Sequence, residues 1–189
     1  MGLRDLLAER KEALCGRWLD AVLGEYGEQT AVRWRKERDP FANPIGHALA
    51  TGLPALLGAV AGDGEPDAGA RAALEGIVRI RSVQSLTPSR AVGFVGLLRG
   101  AIRAELSAEL AGGGLDAELA EVDGRIEQLV LLAFDAYMAA REQVFRVRQE
   151  ELKRSVGSLL RRWYGGVLPE AAAEGVVQLS PPPGRGVRR

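Results

Sequence analysis

Histidine and cysteine each occur once in this chain of 189 residues, as His47 and Cys15. One cysteine excludes an intrachain disulfide and any multi-cysteine metal site, and it fits a reducing compartment, so a cytoplasmic protein is expected. One histidine leaves little for a metal centre or a nucleophile–base pair. Aromatic residues make up only 5% of the chain, β-branched runs are few, and no Asn-Gly hairpin signal occurs, all of which argues against strands. Charge of one sign is lacking too: 25 basic residues balance 25 acidic ones, which gives no argument for nucleic acid as a partner. The start, "MGLRDLLAERKEAL", is charged throughout and has no signal-peptide core. "LVLLAF" is short and flanked by Glu127 and Asp135, and no membrane span is expected. There is no Walker loop; "AGGGL" has neither the lysine nor the preceding strand of a phosphate cradle. No enzyme, cofactor or metal is expected.

What is present is helical periodicity in a composition that is 47% hydrophobic, enough for a core. A first helix is predicted over Leu3–Tyr26, with Leu3, Leu7, Leu14, Trp18 and Val22 on one side. A short second helix is predicted to start at a Thr30 cap and end before Asp39-Pro40. Asn43-Pro44 is a start signal: asparagine offers an oxygen to the free N–H groups of the first turn, and proline at the first position loses no bond. Ile45, Leu49, Leu53, Leu56 and Val60 line that third helix, and Pro54 predicts a kink near Thr51-Gly52. A fourth helix runs to about Val83 with Leu74, Ile77 and Val78 inward. Thr87-Pro88 opens a fifth, which carries Val92, Val95, Leu98, Ile102 and Leu106. Gly93, Gly96 and Gly100 within it suggest a flat face where another backbone comes close. From Asp116 to about Tyr164 there is no proline, so one long final helix is predicted. Leu115, Leu119, Val122, Ile126, Leu129 and Ala133 step by four and three along it, as do Leu152, Val156, Leu159 and Trp163: the spacing of a coiled-coil seam. Its centre, "LVLLAFDAYM", reads as apolar nearly all round and buried.

An all-helical chain with one histidine invites a haem reading. His47 stands in the first third of the chain, however, whereas a globin's proximal histidine lies well past the middle. The expectation is a capped, partly buried imidazole near a helix start.

Four stretches together carry a family resemblance: "LRDLLAERKEALCGRWLDAVLGEY", "DPFANPIGHALATGL", "IVRIRSVQSLTPSRAVGFVGLLRGAIRAEL" and "RIEQLVLLAFDAYMAAREQVFRVRQEELKR". The chain resembles the N-terminal domain of RsbT co-antagonist proteins, the RsbRD type, over about Leu3–Arg154. The resemblance implies a sensory or regulatory module, a globin-like all-α bundle without haem that tends to dimerise and signals through a helix into a STAS or kinase output domain. About 35 residues follow the matched region, too few for either output domain. The expected organisation is a sensor and interaction domain over 1–149, an extension of the long helix as a stalk over 150–168, and a basic Pro/Gly-rich tail over 169–189. The resemblance also implies that stand-alone members of this kind often lie beside genes for membrane redox complexes of sulfur metabolism, so peripheral contact with such a complex is an alternative expectation.

The motif residues give the candidate sites. Phe41 is expected to staple the helix that Asn43 begins. Arg79, Arg81 and Gln84 are candidates to hold a carboxylate or an acidic ligand near His47; alternatively the arginines cap a helix end or form ion pairs. Asp135, beside Tyr137, is expected to be buried and paired with an arginine of the 79–81 pair. Gly93, Gly96, Gly100, Leu152, Val156, Leu159 and Trp163 are the candidates for helix packing or a dimer seam. With Arg146, Arg148, Lys153, Arg154, Arg161 and Arg162, the stalk reads as a solvated helix, a docking or dimer helix, or a membrane-surface segment.

Overall fold

The computed structural model describes residues 2–163 except Arg38, Pro40 and Ser85; the side chains of Glu28, Arg33, Arg35, Lys36 and 160–163 are also outside the description. The expected tail and the side chain of Trp163 therefore lie outside the described residues. The elements are α1 (Leu3–Glu9), α2 (Lys11–Gly24), α3 (Glu28–Lys36), α4 (Pro44–Ala61), α5 (Ala68–Ser82), α6 (Pro88–Gly93), α7 (Leu97–Glu105), α8 (Ser107–Ala111) and α9 (Asp116–Trp163). The fold is all-α. Two compact units divide the chain, Met1–Val144 and Phe145–Arg189.

In the first unit α2 packs on α4 and α7, and α4 packs on α5. The stripe of α4 works as read: Ile45, Leu49, Leu53, Leu56 and Val60 are buried. The glycine that lets helices approach is Gly52, where an added Cβ would lie 2.9 Å from Ile77 Cδ1 and 3.4 Å from Ala73 Cβ on α5. By length and composition α4 could cross a membrane, contrary to the sequence expectation that no stretch qualifies: its 18 residues carry no Asp, Glu, Lys or Arg. Pro54 does not end α4, which runs unbroken through Thr51 and Gly52.

Helix α9 closes the core with Val122, Ile126, Leu129, Ala133 and Tyr137, all buried at spacings of four and three. Polar contacts fix its start. Glu118 accepts from Leu3 N at 2.7 Å, which satisfies a free N–H at the head of α1. Arg99 and Arg103 both pair with Asp123, and Arg125 donates to Val60 O at 3.2 Å. The centre of α9 is apolar but not buried all round: Leu131 is 62% exposed, Phe134 47% and Met138 44%. The apolar run holds two stripes, one inward and one outward, and only the inward one meets the core. In the second unit, taken by itself, Phe145, Val147, Leu152, Val156 and Leu159 are exposed.

Two helices expected to be continuous are broken. The first divides at Arg10, with φ −95° and ψ 17°. The fifth divides between Gly93 and Leu97, where Val95 N bonds to Val92 O and Gly96 N to Gly93 O in tight three-residue turns. The second helix begins at Glu28, after Gly27 at φ 85°, so Thr30 lies inside it and does not cap it. Gly93, Gly96 and Gly100 do not make a close-packed face within the chain. A Cβ at Gly93 or Gly100 would meet nothing within 4 Å, and at Gly96 only Gly93 O at 3.4 Å. Gly100 lies exposed inside α7, so Gly100→Ala is expected to raise stability by about 0.5–1 kcal/mol in urea unfolding. A loss of stability would mean that a second backbone lies against this position.

Candidate functional site

The break between α6 and α7 creates the polar centre of the first unit. With Val95 N turned to Val92 O, the carbonyl of Ala91 has lost its usual helical donor. Arg81, on the last turn of α5 and fully buried, fills that vacancy. Its Nε donates to Ala91 O at 3.1 Å and its Nη2 to Arg90 O at 2.7 Å. Nη2 also donates to Glu25 Oε2 at 2.6 Å, and Nη1 to Tyr26 Oη at 2.7 Å. The guanidinium carbon stands 5.2 Å from the Tyr26 ring centroid and 5.4 Å from that of Phe94. Tyr26 Oη donates onward to Gln84 Oε1 at 2.7 Å. Trp18 closes the other side, its Nε1 donating to Phe94 O at 2.6 Å. One buried cation thus ties the end of α2, the end of α5 and the end of α6 together.

The network continues outward through rings. Tyr26 packs on Trp34 with centroids 4.7 Å apart. Asn43, itself buried, donates to Trp34 O at 2.8 Å and Glu37 O at 3.1 Å, and accepts from Gly46 N at 2.9 Å. Gly46 explains the spacing of the motif: a Cβ there would stand 2.7 Å from Asn43 Oδ1, too close for the asparagine to keep this position. Burial raises the Tyr26 phenol above its ordinary value, opposed by the Arg81 charge. Burial likewise raises the Cys15 thiol, opposed by Lys11, and keeps it in the less nucleophilic form.

The structure brings Arg81, Gln84 and Asn43 into this one network and sends the remaining motif residues elsewhere. Phe41 is 95% exposed and staples nothing, because the turn that buries Asn43 points its neighbour outward. His47 is exposed rather than partly buried, and its carbonyl accepts from Thr51 Oγ1 at 2.8 Å. Asp135 is exposed, since it stands two residues from buried Ala133 and Tyr137, on the far side of the helix. The arginine partner expected for it is absent: Arg81 pairs with Glu25, and Arg79 is exposed with no ion pair among the described residues. Glu25, Tyr26 and Trp34 were missed by sequence reasoning. The one signal available was the clustering of Trp and Tyr near a predicted helix end.

This centre is closed. Its guanidinium has no exposure, and no buried side-chain nitrogen or oxygen among the described residues lacks a partner. A ligand between Arg81 and His47 is therefore excluded as drawn from the sequence. Among the described residues no group of three His, Cys, Asp or Glu could hold a metal ion. An open concavity lies on another side, a cleft of about 580 Å³ between α5 and α9 lined by Arg79, Val83, Ala136, Ala139, Ala140 and Gln143. A smaller one of about 270 Å³ is lined by residues of the same two helices, with Leu74, Glu75, Leu132 and Asp135 around it.

Arg81→Met keeps the bulk but leaves Glu25 and two carbonyls unpaired; it is expected to cost about 3 kcal/mol or more. Arg79→Met, on the surface, is expected to stay within about 0.5 kcal/mol. Urea unfolding of the two variants measures both, and equal losses would overturn the assignment of the clamp to Arg81.

No curated protein and no solved structure matches the chain. The family model of the RsbT co-antagonist protein rsbRD N-terminal domain matches residues 12–152, and this covers the Arg81 clamp, the Asn43 cap and most of α9. That family consists of regulatory, sensor-type domains, and the chain belongs to it.

Proposed function

We propose that this chain is a non-enzymatic regulatory module that works through protein–protein contact, and that the outward face of α9 is its interaction surface. The observation that carries the reading is the second apolar stripe. In the first unit Leu131, Phe134 and Met138 are exposed on the side of α9 away from buried Ile126, Leu129, Ala133 and Tyr137. In the second unit Phe145, Leu152, Val156 and Leu159 are exposed as well. Exposed apolar residues at helical spacing on a long helix favour association with another helix. The closed polar centre around Arg81 supports a structural role for the motif residues and offers no group to a reacting atom.

The nearest partner is a second copy, which makes the protein a homodimer. A regulator of this type acts by shifting the packing of its helices between two arrangements, each favoured by a different partner or state. A second reading, a small-ligand sensor, draws support from the α5–α9 cleft, where exposed Arg79 faces a floor of alanines. In the third reading the module docks on a membrane redox complex of sulfur metabolism; that reading rests on the family resemblance and on the basic segment after Val144.

Light scattering after size exclusion at micromolar concentration is expected to give twice the chain mass of 20.2 kDa. Leu152→Glu should halve that mass without changing the helical circular dichroism. A wild-type monomer, or a Leu152→Glu dimer of unchanged stability, would remove α9 as the surface of association.

A further inference from the structure

We propose that the groove between α5 and α9 in the first unit docks one amphipathic helix of a partner protein, about three turns long, with an acidic residue followed four positions later by a basic one; this rests on the reading of the chain as a module that works through protein contact. The two concavities between α5 and α9 share Glu75, Ala136 and Ala139, so they form one groove. The smaller takes residues 71–75 and 132–139, and the larger takes 75–83 and 136–144. The lining advances along both helices together, so α5 and α9 run in the same direction. At 1.5 Å per residue the groove is about 18 Å long, which is the length of three helical turns.

The shape suits a helix. On the α9 side the wall is alanine at 136, 139 and 140. Short side chains let the backbone of a third helix settle between the other two. Most of the lining is open to water: Glu75, Arg79, Val83, Asp135, Ala139 and Gln143 are exposed. A small molecule in an ordinary pocket has roughly 70–90% of its surface buried, and this open trough would leave it largely wet. A helix laid along the trough uses its whole length, with Leu132 at one end and Val83 and Val144 at the other as apolar contacts.

Charge selects the partner and its direction. Glu75 and Asp135 line one end of the groove, and Arg79 stands one turn of α5 further on. None of these three has an ion pair among the described residues. Arg71, at the acidic end, is already committed, donating to Pro66 O at 3.0 Å and to Glu65 Oε2 at 2.6 Å. The groove thus passes from acidic to basic in the direction of both helices. A partner helix antiparallel to them sets its dipole against theirs and brings its N-terminal half beside Arg79. An acidic residue there meets Arg79. A basic residue one turn nearer the partner's C-terminus meets Glu75 and Asp135. The same order, acid before base at a spacing of four, suits the partner's own dipole and stabilises its helix.

The test is a titration of the full-length protein with a labelled synthetic helix, read by fluorescence anisotropy. The probe has about 15 residues, or four turns, and is cross-linked across one turn to hold it helical. It carries a stripe of Leu and Ala, flanked by Glu and, four residues later, Lys. The proposal expects saturable binding, about tenfold weaker when the Glu and Lys are exchanged. Arg79→Glu should weaken binding about tenfold, and a probe with Lys in place of its Glu should restore it. Ala139→Trp, which fills the groove, should abolish binding. Both positions are exposed, and circular dichroism verifies the fold of each variant. A probe bound equally well by the wild type and both variants sits elsewhere, which would overturn the groove as its site. Octanoate that shifts the amide resonances of Ala136, Ala139 and Ala140, while the probe leaves them in place, would overturn the helix as occupant in favour of a small ligand. No binding of the probe by a chain that light scattering shows to be a dimer would overturn this site and leave the protein-contact reading standing. No binding by a monomeric chain would remove both.

Discussion

A helix can bury one stripe against its own domain, and α9 carries two. This constraint organises the molecule. Val122, Ile126, Leu129, Ala133 and Tyr137 use the inward stripe to complete the core of the first unit. The outward stripe, Leu131, Phe134 and Met138, is left uncovered by the same packing. A methylene moved from water into an apolar contact contributes about 0.8 kcal/mol, so a row of exposed Leu, Phe and Met is a substantial drive towards association. Without proline from Asp116 to Trp163 the helix has no built-in stop, and the seven-residue step continues through residues 145–159. Core and interaction surface are therefore properties of one element, and a change in how the inward stripe packs would turn the outward stripe with it.

The first unit needs a fixed frame for that coupling, and the Arg81 clamp supplies it. Burying a guanidinium costs several kcal/mol unless its donors are matched. Here the match comes from carbonyls that a broken helix exposes, from the Glu25 carboxylate and from the Tyr26 hydroxyl. The break at Phe94–Gly96 and the buried cation thus explain each other: neither would be tolerated alone. Trp18, Trp34 and Asn43 extend the frame to the start of α4, so Asn43, Arg81 and Gln84 are parts of one polar scaffold. Nothing in that scaffold is free to react, which is why the functional argument moves to surfaces.

Much of the fold was legible. Caps are local chemistry, and Asn43-Pro44 and Thr87-Pro88 start helices as their side chains dictate. Stripes are local periodicity, and those of α4 and α5 are buried as spaced. The start of α9 followed from the glycine break at 112–114, and its continuity through the described residues from the lack of proline. Less was legible at the candidate site, because its bonds join residues far apart in sequence: Arg81 and Glu25 are separated by 56 positions. Asp135 was misplaced for a different reason. The density of apolar residues around it suggested burial, while the period of 3.6 sets it on the outside. Gly93 and Gly96 were taken as a packing face, yet they flank a helix break; glycine lowers the cost of either, and sequence alone does not say which. Phe41 and His47 stand in a stretch whose working parts are Asn43 and Gly46, and a cap needs only those two.

The central claim is that the outward stripe of α9 is covered by association. Hydrogen exchange of the full-length protein, followed by mass spectrometry over a dilution series, tests it most directly. If the account is right, peptides spanning 145–159 exchange slowly at high protein concentration and lose that protection on dilution, while peptides spanning 122–130 keep theirs through contact with the core. Fast exchange of 145–159 at every concentration, with 122–130 protected throughout, would contradict it.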